Sequence, residues 1–202
     1  MEYTGERVIP ELMNPKNGLL IEHIARYKFA KKFAKGRVLD IACGVGYGSE
    51  ILLEDNREIK EIVGIDICKD TIEYAKKHYN FPQTSYFCDD ALNTRLHEIY
   101  GTFDTIISFE TIEHFRGDEI FINNLYNLLK PNGTLIISTP FGRGKNYPCS
   151  CPFHVYQYTE EEFLEILKPF NEITMYHQVD TTIEIPKKDK KYYLMVAVCR
   201  KK

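Results

Sequence analysis

Five short apolar runs, several of them followed by a stretch that reads as a helix, constrain this chain more than any other feature. "RVLDIA" (37–42), "EIVGIDI" (61–67), "TSYFCD" (84–89), "FDTIISFE" (103–110) and "TLIISTP" (134–140) are rich in β-branched and aromatic residues. Strands alternating with helices imply a parallel sheet covered by helices on both faces. The unbroken apolar character of "FDTIISFE" suggests burial on both sides. The stretch "EIFINNLYNLLKPNG" (119–133) reads as a helix stopped by Pro131 and Gly133. After Pro140 the rhythm changes. An irregular segment leads to a helix whose Thr159 and Glu162 have capping-box spacing. Two late strands, about 170–176 and 192–199, flank a loop with Pro186 and four lysines and suit an antiparallel finish.

With 202 residues the chain suits one domain, and a net charge of -3 gives no global field favouring nucleic acid. No apolar run is long enough for a membrane span. The opening "MEYTGERVIPE" is polar and carries acids, unlike a signal or transit peptide. Six scattered cysteines, several in apolar runs, suit free thiols. A reduced, cytoplasmic enzyme is the expectation.

The first run ends in a glycine-rich turn, "LDIACGVGYGSEIL" (39–52), which lets a ligand approach the backbone closely. Ser49 and Glu50 follow the last glycine and no lysine does, so the turn is not a phosphate-binding G-x-x-x-x-G-K-[ST] loop. Ser49 and Tyr47 stand where a G-x-G-x-x-G turn needs its third glycine, counted from Gly44 or Ala42. What remains is acid-x-small-x-Gly-x-Gly: Asp40, Ala42, Gly44, Gly46. Two further acids end successive strands, Asp66 in "VGIDI" and Asp90 in "FCDDAL". One such acid would be an ordinary helix cap; three joined to the glycine loop are a pattern.

That pattern, over about residues 36–140, resembles the class I S-adenosylmethionine-dependent methyltransferases. Ala42 replaces the glycine many members carry there, a change that keeps the position small. The resemblance implies a single-domain α/β fold. It is Rossmann-like, a seven-stranded, mostly parallel sheet with helices on both faces and an antiparallel last strand. Residues 1–35 would form an N-terminal arm and lid helix, and 36–202 the methyltransferase domain. It implies that Asp40, Ala42, Gly44, Gly46 and Tyr47 wrap the amino-acid end of S-adenosylmethionine. Asp66, beside Ile67, would accept the ribose hydroxyls, and Asp90 with Ala91 would meet the adenine amine, Asp89 being the rival. A carboxylate near a cationic amine and sulfonium is favourable.

The fourth strand ends in "SFETIEHF". If the chain turns helical there, Glu110, Glu113 and His114 share one side, and two carboxylates with an imidazole can bind a divalent cation. The pattern E-x-x-E-H, with a later His154 in "HVYQYTEEEF", resembles small-RNA 2′-O-methyltransferases; ubiquinone-biosynthesis O-methyltransferases share its first part. By that resemblance Glu110, Glu113, His114 and His154 would hold magnesium, manganese or zinc. Without a metal, His114 or His154 is the catalytic base and Glu110 stays at the adenine edge. Cys149 and Cys151 before His154 hint at zinc, but no second pair accompanies them.

"ERVIP" (6–10) resembles the opening of bacterial methyltransferases associated with glycan modification, whose arm closes over the cofactor. Tyr3 and Arg7 would then reach cofactor or substrate. The basic end, "PKKDKKYY" with Arg200, Lys201 and Lys202, reads as a solvated hairpin or a grip for RNA phosphates. The expected function is therefore methyl transfer, most simply to oxygen on a small molecule or sugar. The alternatives are an RNA 2′-O-methyltransferase, a non-catalytic nucleotide-binding module, or a dehydrogenase should NAD bind in preference.

Overall fold

The structure is a computed structural model, and it describes residues 7–149 and 151–202. Tyr3 lies outside the described residues. Among the described residues eight strands form one sheet: β1 (Gly36–Ile41), β2 (Ile59–Asp66), β3 (Thr84–Cys88), β4 (Phe103–Phe109), β5 (Leu129–Pro140), β6 (Glu172–Val179), β7 (Thr182–Glu184) and β8 (Leu194–Arg200). Their order is β3-β2-β1-β4-β5-β8-β6-β7. Strands β1 to β5 pair in parallel, while β8 runs antiparallel to both β5 and β6. This is the Rossmann-like sheet expected, with one addition. The short β7 pairs with the end of β6 and makes an eighth strand at the edge.

Among the described residues six α-helices cover the sheet: α1 (Gly18–Ala30), α2 (Tyr47–Leu53), α3 (Lys69–His78), α4 (Leu96–Tyr100), α5 (Asp118–Leu128) and α6 (Glu160–Leu167). Asn17 opens α1 by accepting the Leu20 amide at 3.2 Å. Thr159 and Glu162 close the capping box on α6 in both directions. Helix α5 stops at Leu128 rather than at Pro131. Leu129 already pairs with Phe103 of β4, so tertiary pairing overrides the local helix signal.

Successive strand residues feed two cores. Val38, Ile62, Ile107, Ile136 and Val196 pack with α1 and α2 on one face. Leu39, Val63, Ile106, Ile137 and Ala197 pack with α5 and α6 on the other. Side chains alternate along a strand, so a sheet buried on both faces needs apolar residues at every position. Among the described residues all six cysteines are free thiols, as their scatter suggested. Among the described residues no helix is long and apolar enough to cross a membrane.

The tightest packing joins α1 to α2. A Cβ on Gly48 would lie 2.2 Å from the Tyr27 ring. Gly48→Ala is expected to cost about 1–3 kcal/mol through overpacking, lowering Tm by several degrees in thermal denaturation. An unchanged melting curve would show that α1 sits more loosely on α2 than its contacts imply.

Candidate functional site

The chain runs outward from β1 to β3 and returns to place β4 on the other side of β1. In open α/β sheets ligands bind at such a switch, beyond the carboxyl ends of the strands. The turn after β1 and the residues after β4 meet there. A cavity of about 490 Å³ opens at this point, walled by Ala42, Cys43, Gly44 and Tyr47 from the turn and by Asp66, Glu110, His114 and His154. A second space of about 160 Å³ shares Ala42, Asp66, Glu110 and His114, and extends to Ile67, Asp89, Asp90 and Ala91. The sequence-predicted cofactor positions Ala42, Gly44, Tyr47, Asp66, Ile67, Asp90, Ala91 and Glu110 therefore line one continuous crevice.

Each position has a local cause. Gly44 has φ +55, and nothing among the described residues lies within 4 Å of the Cβ it lacks, so its side is open to the cavity. Gly46 serves packing instead. A Cβ there would meet Ala75 at 2.8 Å and Tyr86 at 2.9 Å, so α2 could not approach α3 and β3. Asp66 organises the turn by accepting the Gly44 amide at 2.9 Å and the Cys68 amide at 2.8 Å. At the end of β3, Asp89 is committed to structure. It accepts from Asn93 and from the Tyr100 hydroxyl, each at 3.0 Å. Asp90 accepts the Leu92 amide at 2.8 Å.

Asp40 does not line the crevice. It is buried behind Tyr27, whose hydroxyl donates to both of its oxygens, at 3.2 and 3.0 Å. Burial pushes its carboxyl up to about 7, against the pull of the Tyr27 hydrogen bond and with a further push from the Asp66 charge.

Helix α1 supplies residues that the motif reading missed. Leu19, His23 and Tyr27 line the larger cavity at a spacing of four. That spacing is legible in the sequence, but two polar residues on a core-facing helix carry no label saying which cavity they meet. His23 sits 3.1 Å from the Tyr47 hydroxyl, and burial with the nearby Arg26 charge keeps its ring neutral. The arm also packs. Val8 and Ile9 join the core, Glu11 accepts from the Tyr74 and Tyr79 hydroxyls, and Arg7 lines the cavity.

Beyond β4 the backbone does not continue as an α-helix. Glu110 takes φ +50, and only a 3₁₀ turn, Ile112–His114, follows. Three sequence-predicted ligands nevertheless converge. Glu113, His114 and His154 each present a ligand atom within 4.8 Å of the others. Glu110 lies outside this group, its carboxylate accepting from Ser138 Oγ at 2.6 Å. The expected set of four is thus three, because the left-handed turn at Glu110 sends its side chain to β5. The Glu113 carbonyl accepts from Val155 at 2.7 Å and Tyr156 at 3.0 Å, which pins the loop carrying His154. Glu113 is itself buried. Its Oε2 accepts from Thr139 at 3.0 Å, while Oε1 has no hydrogen-bond partner among the described residues. Burial and the Glu110 charge hold its carboxyl well above the usual range. His114 Nδ1 lies 3.1 Å from the Phe153 carbonyl, which can only accept. In the neutral ring that bond puts the hydrogen on Nδ1 and the lone pair on Nε2.

Comparison with known proteins agrees with this geometry. A family model described as "Methyltransferase domain" matches residues 32–197. A probable S-adenosylmethionine-dependent methyltransferase of Mycolicibacterium smegmatis is 26% identical over 82% of this chain and 63% of its own length. The mitochondrial ubiquinone biosynthesis O-methyltransferase of Schizosaccharomyces pombe is 34% identical over 53% of this chain and 39% of its own. The chain spans 58–63% of the length of the first curated relatives it matches. Among solved structures, the N-methyltransferase NodS of Bradyrhizobium japonicum, in complex with S-adenosyl-L-homocysteine, superposes with a TM-score of 0.67. That match covers 93% of this chain and 89% of NodS at 18% identity, a likeness of fold. By the family match across most of its length, seated on the acid–glycine loop at the switch point, the chain belongs to the class I S-adenosylmethionine-dependent methyltransferases.

Proposed function

We propose that this protein transfers the methyl group of S-adenosylmethionine to a hydroxyl oxygen of a small molecule or sugar. The observation that carries the oxygen acceptor is the Glu113–His114–His154 cluster opening on the cofactor crevice. Bound in the crevice, the cofactor supplies an activated methyl on a sulfonium. Asp66 is placed for the ribose hydroxyls, and Ile67, 70% exposed, offers an apolar surface for the base. Asp90, Ala91 and Glu110 line the same end. The chain's own contribution is to align the acceptor oxygen with the methyl and to receive its proton. With no ion bound, His114 suits the second task, since its Nδ1 bond leaves Nε2 as the basic nitrogen. The arm, packed through Val8 and Ile9, and α1 form the lid that excludes water from the cavity.

The cluster also fits a divalent cation. Among the described residues Glu113 Oε1 is a buried carboxyl oxygen without a hydrogen-bond partner, and such an atom costs free energy unless something binds it. Glu113, His114 and His154 would hold the ion, and the set of one carboxylate and two imidazoles suits zinc or manganese. An ion there would lower the pKa of an acceptor hydroxyl. Metal analysis of the purified protein after incubation with magnesium, manganese or zinc tests this, beside Glu113→Ala/His154→Ala. Stoichiometric metal in the parent and none in the double variant is expected. Equal content in both would remove the metal and leave His114 or His154 as the base.

A further inference from the structure

The cofactor wall contains a hydroxyl that the acid–glycine pattern does not include. Tyr27 lines the larger cavity; Asp40, the acid of the pattern, is 2% exposed and lies behind it. The Tyr27 ring is held edge-on by Tyr47 and Phe109, with centroids 5.3 and 5.2 Å away, and Gly48 leaves just the room it fills. Its hydroxyl is therefore fixed on Asp40 with Cys43 and Tyr47 nearby, and on the S-adenosylmethionine reading this turn would face the amino-acid end of the cofactor. A phenol that gives its hydrogen to a carboxylate keeps its lone pairs for another donor, and the carboxylate makes the oxygen a better acceptor. The nearby His23 adds no competing positive charge, since its ring is neutral.

We propose that the Tyr27 hydroxyl, backed by the buried Asp40, receives the cationic amine of the cofactor's amino-acid end, so that Asp40 acts on the cofactor through Tyr27 and not by contact. This rests on the S-adenosylmethionine reading of the crevice. No proton changes hands between the two: the tyrosine hydrogen stays toward Asp40, and the ammonium N–H donates to the tyrosine oxygen. The competing account is a purely structural tether, in which the Tyr27–Asp40 bond only ties α1 to β1.

Two ligands separate these accounts. S-adenosylhomocysteine has the amino-acid end; 5′-methylthioadenosine shares its nucleoside and sulfur but has no amino acid. Tyr27→Phe keeps the ring and its packing. Calorimetry should show S-adenosylhomocysteine binding weakened about tenfold or more, the loss of a hydrogen bond to a charged group. Methylthioadenosine affinity should stay within about twofold, as no contact to it is lost. Should Tyr27→Phe lose its cooperative melt, Asp40→Asn, which leaves the ring in place, is read with the same two ligands. Equal weakening of both ligands, or of neither, overturns the assignment in favour of the tether. A parent that binds neither ligand would instead refute the cofactor reading, and this assignment with it.

Discussion

Asp66→Ala is expected to weaken S-adenosylhomocysteine binding by about 100-fold or more, read by calorimetry. Two losses combine. The carboxylate proposed to meet the ribose hydroxyls disappears. So does the acceptor that holds the Gly44 and Cys68 amides, at 2.9 and 2.8 Å, and therefore the shape of the turn itself. Thr71 Oγ1, 3.2 Å from the same carboxylate, loses a partner too. The fold should survive with a loss of about 1–3 kcal/mol, the cost of leaving such donors unpaired. Asp66→Asn keeps one acceptor oxygen and should fall between parent and alanine. Affinity within about threefold of the parent in the alanine variant would place the cofactor elsewhere in the molecule.

The second large effect is at Asp40 and has opposite signs for stability and for binding. Its carboxyl sits at about 7 in the folded protein, raised chiefly by burial. An acid whose pKa is raised on folding binds more protons in the native state. Stability is then greatest below its unfolded pKa and is lost as pH rises toward 7. The span is about three pH units, so of order 4 kcal/mol is given up by pH 8. Asp40→Asn cannot ionise. Its stability should be flat across pH 4–8 at this site, and above the parent's at pH 8, by thermal denaturation. Cofactor binding runs the other way. The ammonium favours the ionised carboxylate, reached through Tyr27. Parent affinity should therefore rise by about tenfold in all as pH approaches 7 and level off above it, while the variant binds more weakly with a flatter profile. The groups facing Asp40 are Tyr27 on α1, Cys43 and Tyr47 in the turn and α2, Asp66 on β2 and Tyr86 on β3. The tyrosines and Cys43 are all held above their usual range, so none titrates in this window. A parent and variant with parallel binding profiles would mean that Asp40 stays protonated in the complex.

Such a residue is a liability that a stability argument alone would remove. A buried carboxylate held by one phenol is kept at the cofactor wall although an amide would fold better, the usual trade between stability and function at a site.

Much of this was legible from the chain alone. The alternation of apolar runs and helical stretches determined the parallel sheet, because a strand buried on both faces must be apolar at every position. Ala42, Gly44 and the acids at the ends of β2 and β3 pointed to the crevice, because a ligand at the switch point is met by whatever ends the strands, whereas Asp40 and Gly46 of the same motif are taken up by packing. Thr159 and Glu162 announced the start of α6, since a capping box is local chemistry. What the chain alone could not show is everything that depends on elements distant in sequence. The eighth strand, β7, exists because Thr182–Glu184 folds back on the end of β6. Helix α5 stops at Leu128 because Leu129 finds a partner in β4. Glu110 leaves the histidine cluster because its backbone turns left-handed and Ser138 on β5 receives its side chain. Tyr27 reaches Asp40 because α1 packs over the turn. Periodicity says that a helix face is buried, but only the packed structure says against which residues. The function of Tyr27 is decided there: a hydroxyl acquires a role from the carboxylate and the cavity on its two sides, and neither is its neighbour in the chain.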